Sequence, residues 1–379
     1  MSPSTGGRSP RILIVNPFGI GDVLFTTPLV RAVRRAFPTA YLAYLCNRRT
    51  QDILRTNEHL DELFIYEKDE LVGLWKRHKW EAIVSLVNLI RRIKQQRFGL
   101  VIDLSLGERY SFLLALVGVP RRIGFDFHHR GRFLTHRFAM DGYQDRHVVE
   151  YYRWLLAMVG VRMVESHLEL KPSEYDRADA RQRLARFRRD PDQRIIGLVP
   201  AGGISWGLHA NFRRWSKEGF IRIGQVLRER YQVTILLFGE MRDQAVCAEI
   251  AAAIGPAAVD LSGQTTLSAF VGLISECHLV IANDGGPVHI AVSQDVPTVS
   301  IFGPVDPQVY GPYPRTDKHR IVRKFDLPCR PCYQQFKLPP CPYERACLTS
   351  IEPSDVLQAC QEVLRNAPAR STDTGGVQV

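Results

Sequence analysis

Short apolar segments rich in β-branched residues recur along this chain, and helical patterns separate them. The first segment, Arg11–Val15, is followed by a glycine turn and then by helical periodicity from Asp22 to Phe37. A run of four to six such residues between turns is typical of a strand that is buried on both faces. Strands that alternate with helices in this way predict an α/β fold with parallel, doubly wound sheets.

The alternation occurs twice, on either side of a polar and basic stretch at residues 171–193. The predicted strands are Arg11–Val15, Ala40–Leu45, Glu62–Tyr66, Leu100–Asp103 and Arg122–Phe125, then Arg194–Val199, Val233–Phe238, Leu279–Ala282 and Thr298–Phe302. We therefore predict one α/β domain at residues 11–175 and a second at residues 190–350. A flexible N-terminus (1–10), a C-terminal helix (352–366) and a disordered tail (367–379) complete the predicted organisation.

The charge of the chain favours anionic partners. Its formal net charge is +11, and its hydrophobic content of 45% is ordinary for a globular protein. Nucleic acid, an acidic membrane surface and phosphorylated substrates all fit such an excess. No aromatic and basic RNA-binding motif is visible, so we predict no nucleic-acid partner.

The sequence has no apolar run of the roughly 18–20 residues that span a bilayer, and its first ten residues lack the apolar region of a signal peptide, which predicts a cytoplasmic protein.

A glycine turn in the second half carries the most informative chemistry. The apolar strand Leu279–Ala282 leads into Asn283-Asp284-Gly285-Gly286, and a helical pattern follows at once. Backbone N–H groups and the helix dipole at such a position bind phosphate. Asp284 adds a group that can bind hydroxyls, and His289 lies about one turn further on. The combination suggests a ligand with both phosphates and hydroxyls, such as a nucleotide sugar.

The first glycine turn is different, because it places a carboxylate at the start of a helix. In Gly19-Ile-Gly21-Asp22 the third glycine of a dinucleotide fingerprint is absent, and Leu24 stands in its place. This departure disfavours a Rossmann dehydrogenase. An ionised Asp22 at the carboxyl end of a strand can accept a proton from a hydroxyl. The alternative is an N-capping aspartate that only satisfies backbone N–H groups.

Together, these motifs resemble one enzyme family. The segments 16–24, 26–29, 283–289 and 297–307 are similar to those of the ADP-heptose:lipopolysaccharide heptosyltransferases of glycosyltransferase family nine, with the overall look of the heptosyltransferase II type. The resemblance implies a GT-B fold with two facing Rossmann-like domains. It also implies inverting transfer of heptose from ADP-L-glycero-D-manno-heptose to the lipopolysaccharide inner core, without a cofactor, at the cytoplasmic face of the inner membrane.

The same resemblance implies roles for individual residues. Asp22 matches the proposed general base, which deprotonates the acceptor hydroxyl. Arg109 and Arg122 match the acceptor side. The implied donor-binding residues are Arg213, Glu240, Asp284, Gly285, Gly286 and His289. Arg213 and Ser216 depart from the family pattern, which has Lys and Pro at these positions, and Arg differs from Lys in geometry although it keeps the charge.

The sequence allows more than one state for the four C-terminal cysteines and more than one function for the chain. Cys329, Cys332, Cys341 and Cys347 have the spacing of a structural zinc site, but free thiols and disulfides are alternatives, and no catalytic metal is predicted. A nucleotide-sugar epimerase of the same fold and a member of the transferase family with another donor are the rival enzymes. A non-catalytic binding module would explain the charge but not the pairing of Asp22 with the second glycine turn.

Overall fold

Two parallel sheets of six strands organise the computed structural model, which describes residues 9–187, 190, 192–325 and 327–366. The first sheet contains β1 (Arg11–Val15), β2 (Tyr41–Cys46), β3 (Glu62–Ile65), β4 (Leu100–Asp103), β5 (Arg121–Phe127) and β6 (His136–Met140). The second contains β7 (Ile195–Val199), β8 (Thr234–Leu237), β9 (Ala258–Asp260), β10 (Leu279–Asn283), β11 (Thr298–Ile301) and β12 (His319–Val322). Their orders, β3-β2-β1-β4-β5-β6 and β9-β8-β7-β10-β11-β12, have the same doubly wound topology.

Helices connect the strands and cover both sheets. They are α1 (Ile20–Phe25), α2 (Thr27–Ala36), α3 (Gln51–Leu54), α4 (Lys68–Arg77), α5 (Lys79–Gln95), α6 (Glu108–Val117), α7 (Val148–Ala157), α8 (Glu174–Ala185), α9 (Lys217–Tyr231), α10 (Gln244–Ile254), α11 (Leu267–Ser275), α12 (Gly286–Ser293), α13 (Pro307–Tyr310), α14 (Ala346–Thr349) and α15 (Pro353–Asn366). Short 3-10 segments lie at Arg48–Thr50, Ile204–Arg213 and Met241–Asp243. Among the described residues, no helix is both long enough and apolar enough to cross a membrane.

All nine predicted strands are present, and the predicted doubly wound sheets are confirmed. The strands missed from sequence are β6, β9 and β12, each at the edge of a sheet. These segments are only partly buried and contain His, Arg or Asp, so they lack the apolar run that marks a central strand. The first sheet lies within the predicted domain 11–175 and the second within 190–350. Residues 1–8 of the predicted flexible N-terminus and the predicted tail 367–379 lie outside the described residues.

The predicted helix from Asp22 to Phe37 is two helices in the structure. It begins earlier, at Ile20, and breaks at Thr26. Pro28 has no N–H to donate to the Leu24 carbonyl four residues before it. The Thr27 hydroxyl donates to that carbonyl instead, at 2.8 Å. The break leaves α1 as a short helix directly after the first glycine turn, and this helix carries Asp22.

The two halves of the molecule meet where α1 packs against α12. Glycines on both helices allow this approach. A Cβ atom at Gly21 would lie 2.9 Å from the His289 ring, and one at Gly286 would lie 3.2 Å from the Ile20 side chain. The two glycine turns singled out in the sequence therefore belong to one interface between the sheets.

Candidate active site

Asp22 lies in the first turn of α1, just beyond the carboxyl end of β1. Its Oδ2 accepts a hydrogen bond from the Gly19 N–H at 3.2 Å. Burial raises the pKa of this carboxyl to about 6, although the Gly19 N–H and the positive charge of Arg213 both act to lower it. Asp22 does cap backbone at its own turn, as the alternative interpretation predicted. Its raised pKa is an additional property, and it is the one expected of a general base.

Arg213 and Asp284 form a buried ion pair beside Asp22. Arg213 Nη2 lies 2.6 Å from Asp284 Oδ2, and its Nε lies 3.1 Å from the same oxygen. The Asp284 side chain is 1% exposed, and burial raises its pKa while Arg213 lowers it. The second carboxylate oxygen, Oδ1, is buried and has no hydrogen-bond partner. Arg213 thus bridges electrostatically between the carboxylate of the first turn and that of the second.

Asn283 holds this pair in place. Its Oδ1 accepts from the Trp215 N–H at 2.9 Å, and its Nδ2 donates to the Pro200 carbonyl at 2.8 Å. Both bonds are buried and tie the end of β10 to the ends of the neighbouring segments. Asn283 therefore positions the backbone that carries Arg213. Asn283 is part of the second glycine turn, but the sequence did not predict this role for it.

His289 is buried in the α1–α12 interface. Its ring packs edge-on against Phe25, with ring centroids 4.5 Å apart, and its Nδ1 has no hydrogen-bond partner. Burial, together with the smaller effects of the nearby His147 and Arg213, lowers the pKa of His289 to about 3. The imidazole is therefore neutral near pH 7, and it could donate to a phosphate oxygen only through its single N–H.

Tyrosines that sequence reasoning missed surround Asp22. Tyr310 lies between Tyr143 and Tyr333, with ring centroids 6.4 Å and 6.1 Å away. Burial raises the pKa of all three hydroxyls, that of Tyr333 to about 12, and the negative charge of Asp22 contributes to each increase. Tyr310 lies some way after the second glycine turn in the sequence, so that motif hardly indicated that Tyr310 belongs to the site. Tyr143 had no motif at all.

The remaining predicted site residues lie further out. Glu240 follows β8 and is largely exposed, with its carboxylate 3.4 Å from the Arg242 guanidinium. Arg109 is exposed near the start of α6, at the carboxyl edge of the first sheet, where Asp22 also lies. Arg122 is at the amino end of β5, on the opposite edge, and its guanidinium donates to the carbonyls of Val119 and Phe133. This geometry favours a structural role for Arg122, and its contact with the acceptor remains a prediction.

The four C-terminal cysteines are free thiols in one neighbourhood. Burial raises the pKa of Cys332, and the nearby Cys329 and Cys341 add to the increase. In the described part of the chain, the one cluster that brings three possible metal ligands within 4.8 Å of one another is Glu58, His59 and Glu169. The four cysteines are not gathered as closely, and their structural zinc site stays a prediction. The predicted disulfide alternative is absent from the structure.

Comparison with known proteins identifies the family. Residues 86–341 match glycosyltransferase family 9 (heptosyltransferase). The chain belongs to this family. It is therefore a glycosyltransferase, and family membership favours this activity over the epimerase and dehydrogenase alternatives.

Similar proteins agree with this assignment along most of their length. Lipopolysaccharide heptosyltransferase 3 of Escherichia coli is 25% identical over 305 residues, which cover 77% of this chain and 83% of that protein. Lipopolysaccharide heptosyltransferase 1 of Pseudomonas aeruginosa is 24% identical, with 86% of each chain covered. Lipopolysaccharide heptosyltransferase 2 of Salmonella typhimurium is also 24% identical. The chain is thus about equally similar to heptosyltransferases of all three numbered types.

Solved structures confirm the predicted GT-B fold. The glycosyl transferase family 9 protein of Veillonella parvula superposes with a TM-score of 0.80 at 24% identity, covering 95% of this chain and 98% of the other. The ADP-heptose lipopolysaccharide heptosyltransferase II of E. coli gives a TM-score of 0.72 at 20% identity, covering 94% and 99%. The two facing Rossmann-like units predicted from the sequence are therefore those of this family.

Proposed function

We propose that this glycosyltransferase moves heptose from ADP-L-glycero-D-manno-heptose to the lipopolysaccharide inner core, with inversion at the anomeric carbon. The observation that carries the proposal is the convergence of Asp22, Arg213 and Asp284 where the two sheets meet. A carboxylate with a pKa of about 6 lies near the Arg213 guanidinium, which pairs with Asp284 on the glycine turn at the start of α12. This is the arrangement that a displacement with a phosphate leaving group requires.

Asp22 acts as the general base in the proposed mechanism. With its pKa at about 6, the carboxyl is mostly ionised at pH 7 and yet more basic than an ordinary aspartate. It takes the proton of the acceptor hydroxyl as that oxygen attacks the anomeric carbon. The bond from this carbon to the diphosphate breaks on the opposite face, and ADP leaves. A single displacement needs a single base, so a second catalytic carboxylate is not required.

The second glycine turn binds the donor. Backbone N–H groups at Gly285 and Gly286, at the start of α12, stabilise the charge that develops on the diphosphate. Arg213 adds a guanidinium, which is suited to bidentate contact with phosphate. The unpaired Oδ1 of Asp284 accepts from a hydroxyl of the sugar. His289 supplies one neutral N–H, and Glu240 contacts the ribose from the end of β8.

The acceptor enters along the carboxyl edge of the first sheet. Arg109 is exposed there and fits the anionic groups of the inner core. Such an acceptor is anchored in a membrane by its lipid part, so the enzyme works at the cytoplasmic face of the inner membrane. The net charge of +11 suits an anionic lipid surface.

A donor panel tests the proposed function. We expect ADP-heptose to raise the melting temperature more than UDP-sugars or NAD do, because a ligand stabilises the folded state that binds it. Incubation with ADP-heptose and a heptose-deficient core acceptor should then release ADP and add one heptose mass to the acceptor. Stabilisation by UDP-N-acetylglucosamine with epimerised product, and no response to ADP-heptose, would refute the proposal.

A further inference from the structure

The helix pair α4–α5 exposes an apolar surface that nothing else in the described chain covers. Trp75 on α4 is 50% exposed, and Trp80 on α5 is 73% exposed. The other large apolar side chains exposed on this pair are Val72, Ile83, Val84 and Val87. Several large exposed apolar side chains on one pair of packed helices are typical of an interaction site in a folded protein. We call the surface formed by these six side chains the α4–α5 face.

Helix α5 has two apolar sides, and its fold uses one of them. Ala82 and Ile93 are buried, and Ile93 packs in the hydrophobic core against residues of the first sheet. Trp80, Ile83, Val84 and Val87 are spaced three and four residues apart, so they share a different side of the helix. An ordinary surface helix has charged residues on this side. The outward side of α5 is therefore built to contact something other than the protein's own core.

Basic residues border the α4–α5 face. Residues 76–94 contain six Lys or Arg and one acidic residue, Glu81. Arg91 and Lys94 continue the stripe of Trp80 and Val87 by one further turn, and both are exposed. Lysine and arginine at this position can lay their alkyl chains along an apolar phase while their charges reach anionic headgroups. A helix with Trp, Val and Ile beside such charges is typical of one that lies in a membrane interface.

The face is on the side of the molecule where the acceptor would enter. Helix α5 leads back to the amino end of β4, so its first turn, with Trp80, lies toward the carboxyl edge of the first sheet. Helix α6 packs beside α5. Its exposed residues Arg109, Phe112 and Leu116 follow the same three-and-four spacing. Apolar and basic groups thus extend from the α4–α5 face to the edge that carries Asp22.

We propose that the α4–α5 face is the membrane-docking surface of this enzyme and that it binds anionic lipid. Trp75 and Trp80 insert at headgroup level, while the flanking Lys and Arg hold the anionic headgroups. This inference rests on the proposed function in one respect, since a lipid-anchored acceptor gives docking its purpose. Docking brings the carboxyl edge of the first sheet to the lipid surface, where the hydroxyl to be glycosylated is presented.

Vesicle co-sedimentation tests the proposal on the full chain. We expect binding to vesicles of phosphatidylglycerol and phosphatidylethanolamine, little binding to phosphatidylcholine alone, and weaker binding at high salt. The double variant Trp75→Gln/Trp80→Gln should lower the partition coefficient at least tenfold. Lys79→Gln and Arg91→Gln should lower it about fivefold each. The matched control is Tyr175→Gln, which removes an exposed aromatic ring from α8 and should bind like the wild type.

The outcomes separate this inference from the proposed function. The tryptophan double variant should keep the melting-temperature increase with ADP-heptose, and it should still transfer heptose to a deacylated core oligosaccharide, which needs no membrane. Absent vesicle binding, or binding that the tryptophan variants leave unchanged, would overturn the docking surface alone. Concentration-dependent dimerisation that the double variant abolishes would also overturn it, since a second copy would then cover the face. If ADP-heptose fails to stabilise the wild type, the proposed function fails whatever the vesicles show.

Discussion

The pH dependence of Asp22 gives the most direct test of the proposed mechanism. The ionised carboxylate is the active form, so kcat/KM should rise with pH and reach half of its plateau at about pH 6. A group with this pKa is about nine-tenths ionised at pH 7 and about one-tenth ionised at pH 5. Activity should therefore fall about tenfold between these two values. An aspartate with an ordinary pKa of about 4 would lose almost nothing over the same range.

Replacing Asp22 with Asn should remove this dependence together with most of the activity. General base catalysis contributes about 10²- to 10⁴-fold, so we expect turnover to fall by that range. Folding should respond in the opposite direction. Because burial raises the folded-state pKa from 3.8 to about 6, ionising Asp22 costs about 3 kcal/mol of folding free energy above pH 6. The Asn variant should thus be more stable than wild type at pH 8, and the difference should vanish below about pH 4, where the folded and unfolded forms are both protonated.

The assay is ADP release at saturating ADP-heptose over pH 5–9, with calorimetric donor binding as the control. Asp22→Asn should bind ADP-heptose with nearly unchanged affinity, because the base acts on the acceptor. Turnover above a tenth of the wild-type rate would refute the assignment of the base. An acid limb near pH 4 would refute the argument that burial tunes it.

Three further perturbations test the rest of the site. Arg213→Met should lower the free energy of unfolding at pH 8 by about 3 kcal/mol, because it leaves the Asp284 carboxylate buried without its partner. Burial raises the pKa of Asp284 and Arg213 lowers it, so chemical denaturation should show a smaller loss as the pH falls, and a loss that does not depend on pH would contradict this reasoning. Gly21→Ala should lower the free energy of unfolding by about 1–3 kcal/mol and slow transfer, because the new Cβ would lie 2.9 Å from the His289 ring. The control is Gly73→Ala in α4, where a Cβ meets nothing within 4 Å, and this variant should raise the free energy of unfolding by up to about 1 kcal/mol. His289→Ala should weaken ADP-heptose binding in titration calorimetry and also lower the melting temperature because the ring is buried; unchanged affinity would remove His289 from the donor site.

The central strands and the two glycine turns could be predicted because each depends on local pattern. A buried parallel strand such as β10 is a continuous apolar run, and the turn after it needs small residues. The edge strands β6, β9 and β12 could not be found in this way. They are held by hydrogen bonds to a neighbouring strand, and such bonds leave little trace in side-chain hydrophobicity.

Contacts between residues that are far apart in the sequence could not be predicted from the sequence patterns. The pairing of Arg213 with Asp284 depends on Asn283 holding two distant backbone segments together, and no spacing encodes that. The tyrosines around Asp22 come from separate segments for the same reason. Arg122 was assigned by resemblance to the acceptor side, but its position in β5 was decided by strand register. Register depends on the whole sheet.

In the proposed mechanism, the packing of α1 on α12 would couple proton release to product release. Asp22 keeps a high pKa only while protein surrounds it, and ADP can leave only when the donor turn becomes accessible. Separating the two helices would hydrate the carboxylate, return its pKa toward that of a free aspartate and let the captured proton escape to solvent. Each opening of the cleft would then discharge both products of the reaction at once, and the enzyme would close on its next substrates with the base already regenerated.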